Sequence, residues 1–224
     1  MQFNSYIFIF FFLPLTLVGF YQIAARRDRQ AAMMWLVIMS LIFYSWWNVN
    51  YLGLFCFSMF LNFTLGSALT GDLDLPLSRP WLLRLGIFFN LGLLAYFKYA
   101  GLTVASINGL LGTEFKEPSV LLPLAISFFT FQQIAYLVDT FRGKVKELSF
   151  VNYCLFISFF PQLIAGPIVY YRELIPQFLR REGAATNASG KTTFRCNPED
   201  IIVGLTLFSM GLFKKAVFAD SLSP

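Results

Sequence analysis

The sequence predicts an all-α polytopic membrane protein with about six or seven transmembrane or re-entrant helices. Hydrophobic residues make up 57% of the 224 positions and charged residues only 13%. The mean hydropathy is +0.64. Soluble domains are about one quarter charged and less than half apolar, so this composition is typical of a chain that lies in lipid.

Uncharged runs divide the chain into candidate spans, each of which needs about 20 apolar residues to cross a bilayer. The predicted spans cover residues 5–25, 31–47, 51–69, 85–111, 121–138, 148–171 and 201–213. Lys98 interrupts the fourth span, and its tyrosine neighbours favour a lysine at the membrane interface over a functional charge. The span can then consist of two shorter helices that are divided at Gly101. The last run is short, and it either extends through Lys214 and Lys215 to Ala219 or forms a tilted, half-buried helix.

The basic residues lie in short connections, where an excess of Lys and Arg marks the cytoplasmic side. Residues 26–29 and 139–150 are therefore predicted to be cytoplasmic, residues 112–118 periplasmic, and the N-terminus outside. The net charge of +5 follows from these connections, so we expect lipid rather than nucleic acid around the chain. The three cysteines show no metal-binding or disulfide spacing and histidine is absent, so we expect no metal site and no bound cofactor.

Residues 160–167 read FPQLIAGP and lie inside the sixth apolar run. Pro161 and Pro167, with Gly166 beside the second, do not fit an uninterrupted helix. A broken helix at membrane depth is tolerated only where protein or a water-filled cavity satisfies the freed backbone groups. The motif therefore predicts a built site, and the basic stretch that follows favours a re-entrant segment over a full crossing.

The fifth run carries a polar stripe of Gln132, Tyr136 and Asp139, spaced i, i+4 and i+7 on one helical face. Polar groups inside a membrane helix face protein or a cavity rather than lipid. Two interpretations are equally supported by the spacing: a functional surface, or hydrogen bonds that only hold the helices together.

Three motifs resemble the membrane-bound O-acyltransferase family, and its alginate O-acetyltransferase branch in particular. They are LPLAISFFTFQ at 122–132 continuing through Tyr136 and Asp139, FPQLIAGPI at 160–168, and GLFKK at 211–215 followed by Ala219 and Asp220. The resemblance covers the whole chain, and the three motifs follow one another in the order that they have in the family. It implies a ring of helices around a thinned centre, with residues 1–224 forming the N-terminal part of a single membrane domain in the bacterial inner membrane.

The resemblance also implies an activity. Family members take an acyl group from a cytoplasmic thioester, acetyl-CoA or a similar donor, and pass it to an exopolysaccharide such as alginate or to a periplasmic acetyltransferase partner protein. The candidate residues of the substrate tunnel are then Gln132, Tyr136, Asp139, Pro161, Gln162, Gly166 and Pro167.

The chain departs from the family in one respect, because it has no histidine. The family's catalytic histidine lies downstream of the lysine pair, so we expect it beyond residue 224, assign no catalytic residue here, and expect residues 1–224 alone to be inactive. Two alternatives stay open: a transporter or channel, against which the lack of an internal repeat argues, and a non-catalytic component of a polysaccharide secretion complex.

Overall fold

The computed structural model describes residues 2–26, 28–73, 76–113, 121–145, 148–164, 166, 169–179, 184–186, 192–194 and 198–219. The chain divides into two compact units. One comprises residues 1–39 and 180–224, and the other comprises residues 40–179. Pro167, one of the predicted tunnel residues, lies outside the described residues.

Helices dominate both units. In chain order the elements are a π-helical turn at Phe8–Phe12, α1 (Leu13–Arg26), α2 (Arg29–Ser45), α3 (Asn50–Thr70), α4 (Arg79–Leu111), α5 (Ile126–Phe141), α6 (Phe150–Ser158), α7 (Phe160–Leu163), α8 (Tyr171–Leu179), β1 (Ala184–Thr186), β2 (Thr192–Phe194), α9 (Pro198–Phe213) and a π-helical turn at Lys214–Ala219. The two short strands pair antiparallel, with Ala184 opposite Phe194. This hairpin was not predicted, because the stretch has the composition of a polar loop.

Four helical segments of the described residues are long and apolar enough to cross a membrane: Phe8–Arg26, Asn50–Thr70, Arg79–Leu111 and Pro198–Phe218. Helix α2 is apolar but has only 17 residues. The prediction of an all-α membrane protein is therefore confirmed. Helices α6, α7 and α8 have 9, 4 and 9 residues. None of these three reaches the length of about 20 residues that a full crossing requires.

Two predicted boundaries differ from the structure, and the structure decides between the two forms predicted for the last helix. Helix α4 continues through Gly101 without a break, since a single glycine costs a helix only about 1 kcal/mol. Helix α5 begins at Ile126 rather than near residue 121, because Ala125 has a left-handed backbone with φ 56°. The last helix takes the longer of its two predicted forms, continuing through Lys214 to Ala219.

Helix α5 forms the centre of the 40–179 unit, where it packs against α3, α4 and α6. Close approach to α4 depends on Gly86, where an added Cβ would lie 2.4 Å from Cδ1 of Leu137. Small residues at such crossings let membrane helices pack tightly. The rings of Tyr44 and Phe55 stack at 4.5 Å, and Phe129 of α5 lies 5.0 Å from Phe55.

Two contacts define the ends of this unit. At one end, the guanidinium group of Arg79 donates a hydrogen bond to the carbonyl of Phe141 at 3.2 Å. At the other end, the Tyr51 hydroxyl donates to the carbonyl of Leu121. The start of α4 and the end of α5 therefore lie on the same side of the unit, as an antiparallel pair of neighbouring helices requires.

Candidate functional site

The polar stripe on α5 faces the interior of the 40–179 unit. Gln132, Tyr136 and Asp139 are exposed to only 1%, 1% and 6%. Within the described part of the chain, neither amide atom of Gln132 nor the hydroxyl of Tyr136 has a hydrogen-bond partner. Leaving a buried polar group unpaired costs about 1–3 kcal/mol, so each of these groups lowers the stability of the folded state.

Tyr136 is held by aromatic neighbours. Its ring centroid lies 4.5 Å from that of Tyr153 in α6 and 5.6 Å from that of Tyr171 in α8. On the other side the ring rests directly on Gly66 of α3, where an added Cβ would lie 2.8 Å from the hydroxyl oxygen. The hydroxyl therefore has a fixed position, set by three helices.

Replacing Gly66 with alanine is expected to destabilise the protein by about 1–3 kcal/mol, because the new methyl group forces the packed ring of Tyr136 to move. Gly53 is the matched control. It lies in the same helix, and nothing stands within 4 Å of the position of its Cβ. Gly53→Ala should be neutral or stabilising, by up to about 1 kcal/mol. Thermal unfolding in detergent measures both, and equal midpoints would contradict the described contact.

Asp139 lies at the end of the stripe, where α5 gives way to the basic connection. Its carboxylate is 3.4 Å from the ammonium group of Lys144, whose side chain is 39% exposed. From Gln132 to Asp139 the stripe rises by about 10 Å along the helix axis. It therefore connects the interior of the bundle with the end that carries Lys144.

A second polar cluster, which we call the amide network, was not predicted. It consists of Ser58 and Asn62 in α3, Asn90 in α4 and Gln133 in α5, all fully buried. The Gln133 carbonyl oxygen accepts hydrogen bonds from the Ser58 hydroxyl at 2.8 Å and from the Asn62 amide at 3.0 Å. The Asn90 amide donates to the Asn62 carbonyl oxygen at 2.6 Å. The sequence feature that could have predicted this network is the presence of asparagine and glutamine within otherwise uncharged runs.

The two neighbouring glutamines thus differ in role. Gln133 joins α5 to α3 through its side-chain oxygen, while Gln132 has no partner in the described region. Among the described residues Gln133 also has an unpaired amide nitrogen, but both amide atoms of Gln132 lack a partner, so the whole Gln132 amide is available to a ligand.

The predicted helix break is confirmed, but it lies ahead of the prolines. Helix α6 ends at Ser158, Phe159 has ψ 103°, and α7 starts at Phe160. The Phe160 amide donates to the Ser40 hydroxyl at 3.3 Å, which satisfies a group freed by the break. Pro161 occupies the first turn of α7, where a helix needs no backbone donor.

Gln162 and Gly166 belong to a turn of their own. The Gly166 amide donates to the carbonyl of Gln162 at 3.0 Å. A Cβ at Gly166 would lie 2.7 Å from Cγ of Gln162, so a larger residue would displace that buried side chain. The structure therefore groups Gln132, Tyr136 and Asp139 on one helix face, and Gln162 with Gly166 in a separate turn.

Sequence comparison finds bacterial O-acetyltransferases along the whole chain. The chain is 38% identical to "Peptidoglycan O-acetyltransferase" of Helicobacter pylori, over 98% of this chain and 44% of that protein. It is 36% identical to "Probable alginate O-acetylase AlgI" of Azotobacter vinelandii, over 100% of this chain and 42% of that protein. The Pseudomonas aeruginosa protein of the same name is 33% identical, over 100% and 41%.

The chain spans about half the length of the curated relatives it matches. No family model matches the chain, and no solved structure is similar to it.

Proposed function

Because the chain belongs to the membrane-bound O-acyltransferase family, we propose that it is part of an enzyme that O-acetylates a cell-envelope polysaccharide. The donor is acetyl-CoA or a similar acyl thioester on the cytoplasmic side. The acceptor is an exopolysaccharide such as alginate, or a periplasmic acetyltransferase partner protein that passes the acetyl group on. The enzyme is a multi-pass protein of the bacterial inner membrane, and both compact units belong to one membrane domain.

One observation carries this proposal from the geometry: the unpaired side chains of Gln132 and Tyr136 on a buried stripe that leads to Asp139. Unpaired buried polar groups lower the stability of a fold, and their presence is explained when a ligand forms hydrogen bonds with them. An acyl group presents a carbonyl oxygen, and the amide N–H of Gln132 and the hydroxyl of Tyr136 are donors for it. We therefore place the acyl group beside this stripe, which forms one side of the substrate tunnel.

The proposed chemistry divides between this chain and the rest of the enzyme. Attack on a thioester carbonyl develops negative charge on its oxygen, and fixed donors stabilise that charge. Gln132 and Tyr136 supply such donors in a region from which water is excluded. The attacking hydroxyl forms the new ester bond and gives its proton to a base, while the C–S bond breaks and the donor leaves as a thiolate. The 224 residues contain no histidine to act as that base. We therefore place the base outside this chain, and expect residues 1–224 by themselves to transfer nothing.

The turn after α6 shapes the same passage in this proposal. Gln162 and Gly166 hold the backbone in a compact turn. Pro161 starts α7, and Pro167 follows the turn in the sequence. The role of Pro161 is to keep α7 from joining α6 as one helix, and Pro167 is a candidate residue of the tunnel wall.

The test is acetyl transfer by the full-length enzyme in proteoliposomes. Acetyl-CoA with a radiolabelled acetyl group is supplied on the side that carries Lys144, and alkali-labile label is measured in polysaccharide and in the periplasmic partner protein on the other side. Transfer by the full-length protein, with none by residues 1–224, is the expected result. Label at the level of empty liposomes in both polysaccharide and partner protein, with the full-length protein properly inserted, would reject the proposal.

The orientation has its own test. Single cysteines at Thr113 and Lys144 are introduced after Cys56, Cys154 and Cys196 are replaced by serine or alanine. A membrane-impermeant maleimide added to intact spheroplasts should label position 113 and not position 144, because basic connections stay in the cytoplasm. Labelling of both positions from the same side would contradict the predicted orientation.

A further inference from the structure

An apolar groove runs along the surface between α3 and α4. It has a volume of about 330 Å³ and is lined by Phe57, Phe60, Leu61, Thr64, Leu65, Leu85 and Phe89. The hydroxyl of Thr64 already donates to the carbonyl of Phe60 at 2.9 Å, within its own helix. The groove walls therefore bring no free hydrogen-bonding group to a ligand, which suits a hydrocarbon.

The two ends of the groove differ. Phe57 and Phe89 meet edge to face with their centroids 6.2 Å apart, which closes one end. Beyond Leu85 at the other end, one helical turn towards the start of α4, lies Trp81. The guanidinium carbon of Arg84 sits 4.9 Å from the centre of the Trp81 ring. Both side chains are exposed, and among the described residues no carboxylate pairs with Arg84.

The chemistry of this end fits a phosphate at the membrane surface. Tryptophan favours the interface between hydrocarbon and headgroups. A guanidinium group binds phosphate through paired N–H donors, and stacking on an aromatic ring leaves those donors at its edge available. The groove is apolar along its length and ends at an arginine and a tryptophan. It therefore matches a phospholipid, whose acyl chain is apolar and whose headgroup carries a phosphate.

We propose that this groove is a binding site for an anionic glycerophospholipid, with one acyl chain between α3 and α4 and the phosphate on Arg84. The walls favour a flexible chain over another helix, since helices dock in membranes through small residues, and six of the seven lining residues are phenylalanine or leucine, with Thr64 the one small residue. The Arg79–Phe141 contact puts this end on the side of Lys144, which we assign to the cytoplasm. Anionic lipids are concentrated in that leaflet.

The experiment is native mass spectrometry of the protein released from nanodiscs that contain equal amounts of phosphatidylglycerol and phosphatidylethanolamine. Two variants test the two halves of the site. Arg84→Gln removes the phosphate contact, and Leu85→Trp fills the groove. Each has a control in the same helix: Lys98→Gln changes a lysine that lies over Tyr99 at 5.5 Å, and Leu91→Trp changes a residue of similar exposure outside the groove.

The unchanged protein should retain one phosphatidylglycerol in preference to phosphatidylethanolamine. Arg84→Gln should reduce that preference about fivefold, the factor that corresponds to one basic residue at an anionic surface. Leu85→Trp should abolish retention of the bound lipid, while both control variants keep it. Both lipids would remain available to every variant, so the comparison reports the site rather than the membrane.

Three results would overturn the proposal. One is equal loss of the lipid in Arg84→Gln and Lys98→Gln, which would indicate a general charge effect. Another is undiminished retention by Leu85→Trp. The third is a dimer that Leu85→Trp converts to a monomer without any change in bound lipid, which would assign the groove to a second copy of the chain. None of these readouts depends on acetyl transfer.

Discussion

Gln132→Leu is expected to make the protein more stable and the enzyme inactive. Leucine has a similar volume and removes two buried polar atoms that lack a partner in the described region, so the free energy of unfolding should rise by about 1–3 kcal/mol. If the amide positions the acyl group, transfer should fall on the order of a hundredfold, because small misplacements of a reacting group have effects of that size. Thermal unfolding and acetyl transfer are measured on the same full-length preparation.

Gln133→Leu is the matched control for this result. It lies one residue along and is equally buried, but its oxygen accepts from Ser58 and Asn62. Its replacement should lower the free energy of unfolding by about 1–3 kcal/mol, since the Ser58 hydroxyl loses its acceptor and the Asn62 amide loses one of three. Opposite signs for the two neighbours are the expected pattern. A Gln132→Leu enzyme with normal transfer would remove Gln132 from the site, and a destabilised one would show that its amide is paired.

The amide network should show strong coupling between Asn62 and Asn90. The two side chains exchange hydrogen bonds of 2.6 and 3.3 Å between α3 and α4. Asn62→Leu and Asn90→Leu should each cost about 1–3 kcal/mol, because each leaves the side-chain carbonyl oxygen of the other unpaired in an apolar interior. Together they should cost less than the sum of the two, by about 0.6–1.7 kcal/mol, the range found for hydrogen bonds between membrane helices.

The coupling is measured by a double-mutant cycle, in which the free energy of reversible unfolding in detergent is determined for each variant. Ser106→Leu at an exposed position of α4 is a control for the effect of leucine itself. Strict additivity of the Asn62 and Asn90 variants would contradict the described hydrogen bonds, since independent sites add and contacting sites do not.

The helices were largely predictable, because charge marks their ends. Helix α1 ends at Arg26 and α2 starts at Arg29, and α3 ends at Thr70, beside the predicted limit of 69. The start of α5 was not predictable from hydropathy, since residues 121–125 are as apolar as the helix that follows. Its position depends on the backbone of Ala125, which takes a conformation that L-residues seldom adopt.

The site was predictable in part. Periodicity identified Gln132, Tyr136 and Asp139 as one face, and the structure buries that face. Periodicity could not identify the partners, because Ser58 and Gln133 meet across 75 positions of the chain and Asn62 and Asn90 across 28. Spacing along a helix tells which residues share a direction. Which helix lies in that direction is decided by packing.

The length of α4 links the protein to the thickness of its membrane. Its 33 residues extend for about 50 Å, while the hydrocarbon layer is about 30 Å thick. Tilting accommodates only part of that mismatch. Tyr96, Lys98 and Tyr99 are suited to the interface, which leaves the exposed Leu102 and Leu110 beyond it. A thicker bilayer would cover these leucines with lipid and a thinner one would uncover more of the helix, so the host membrane sets how much of α4 meets water.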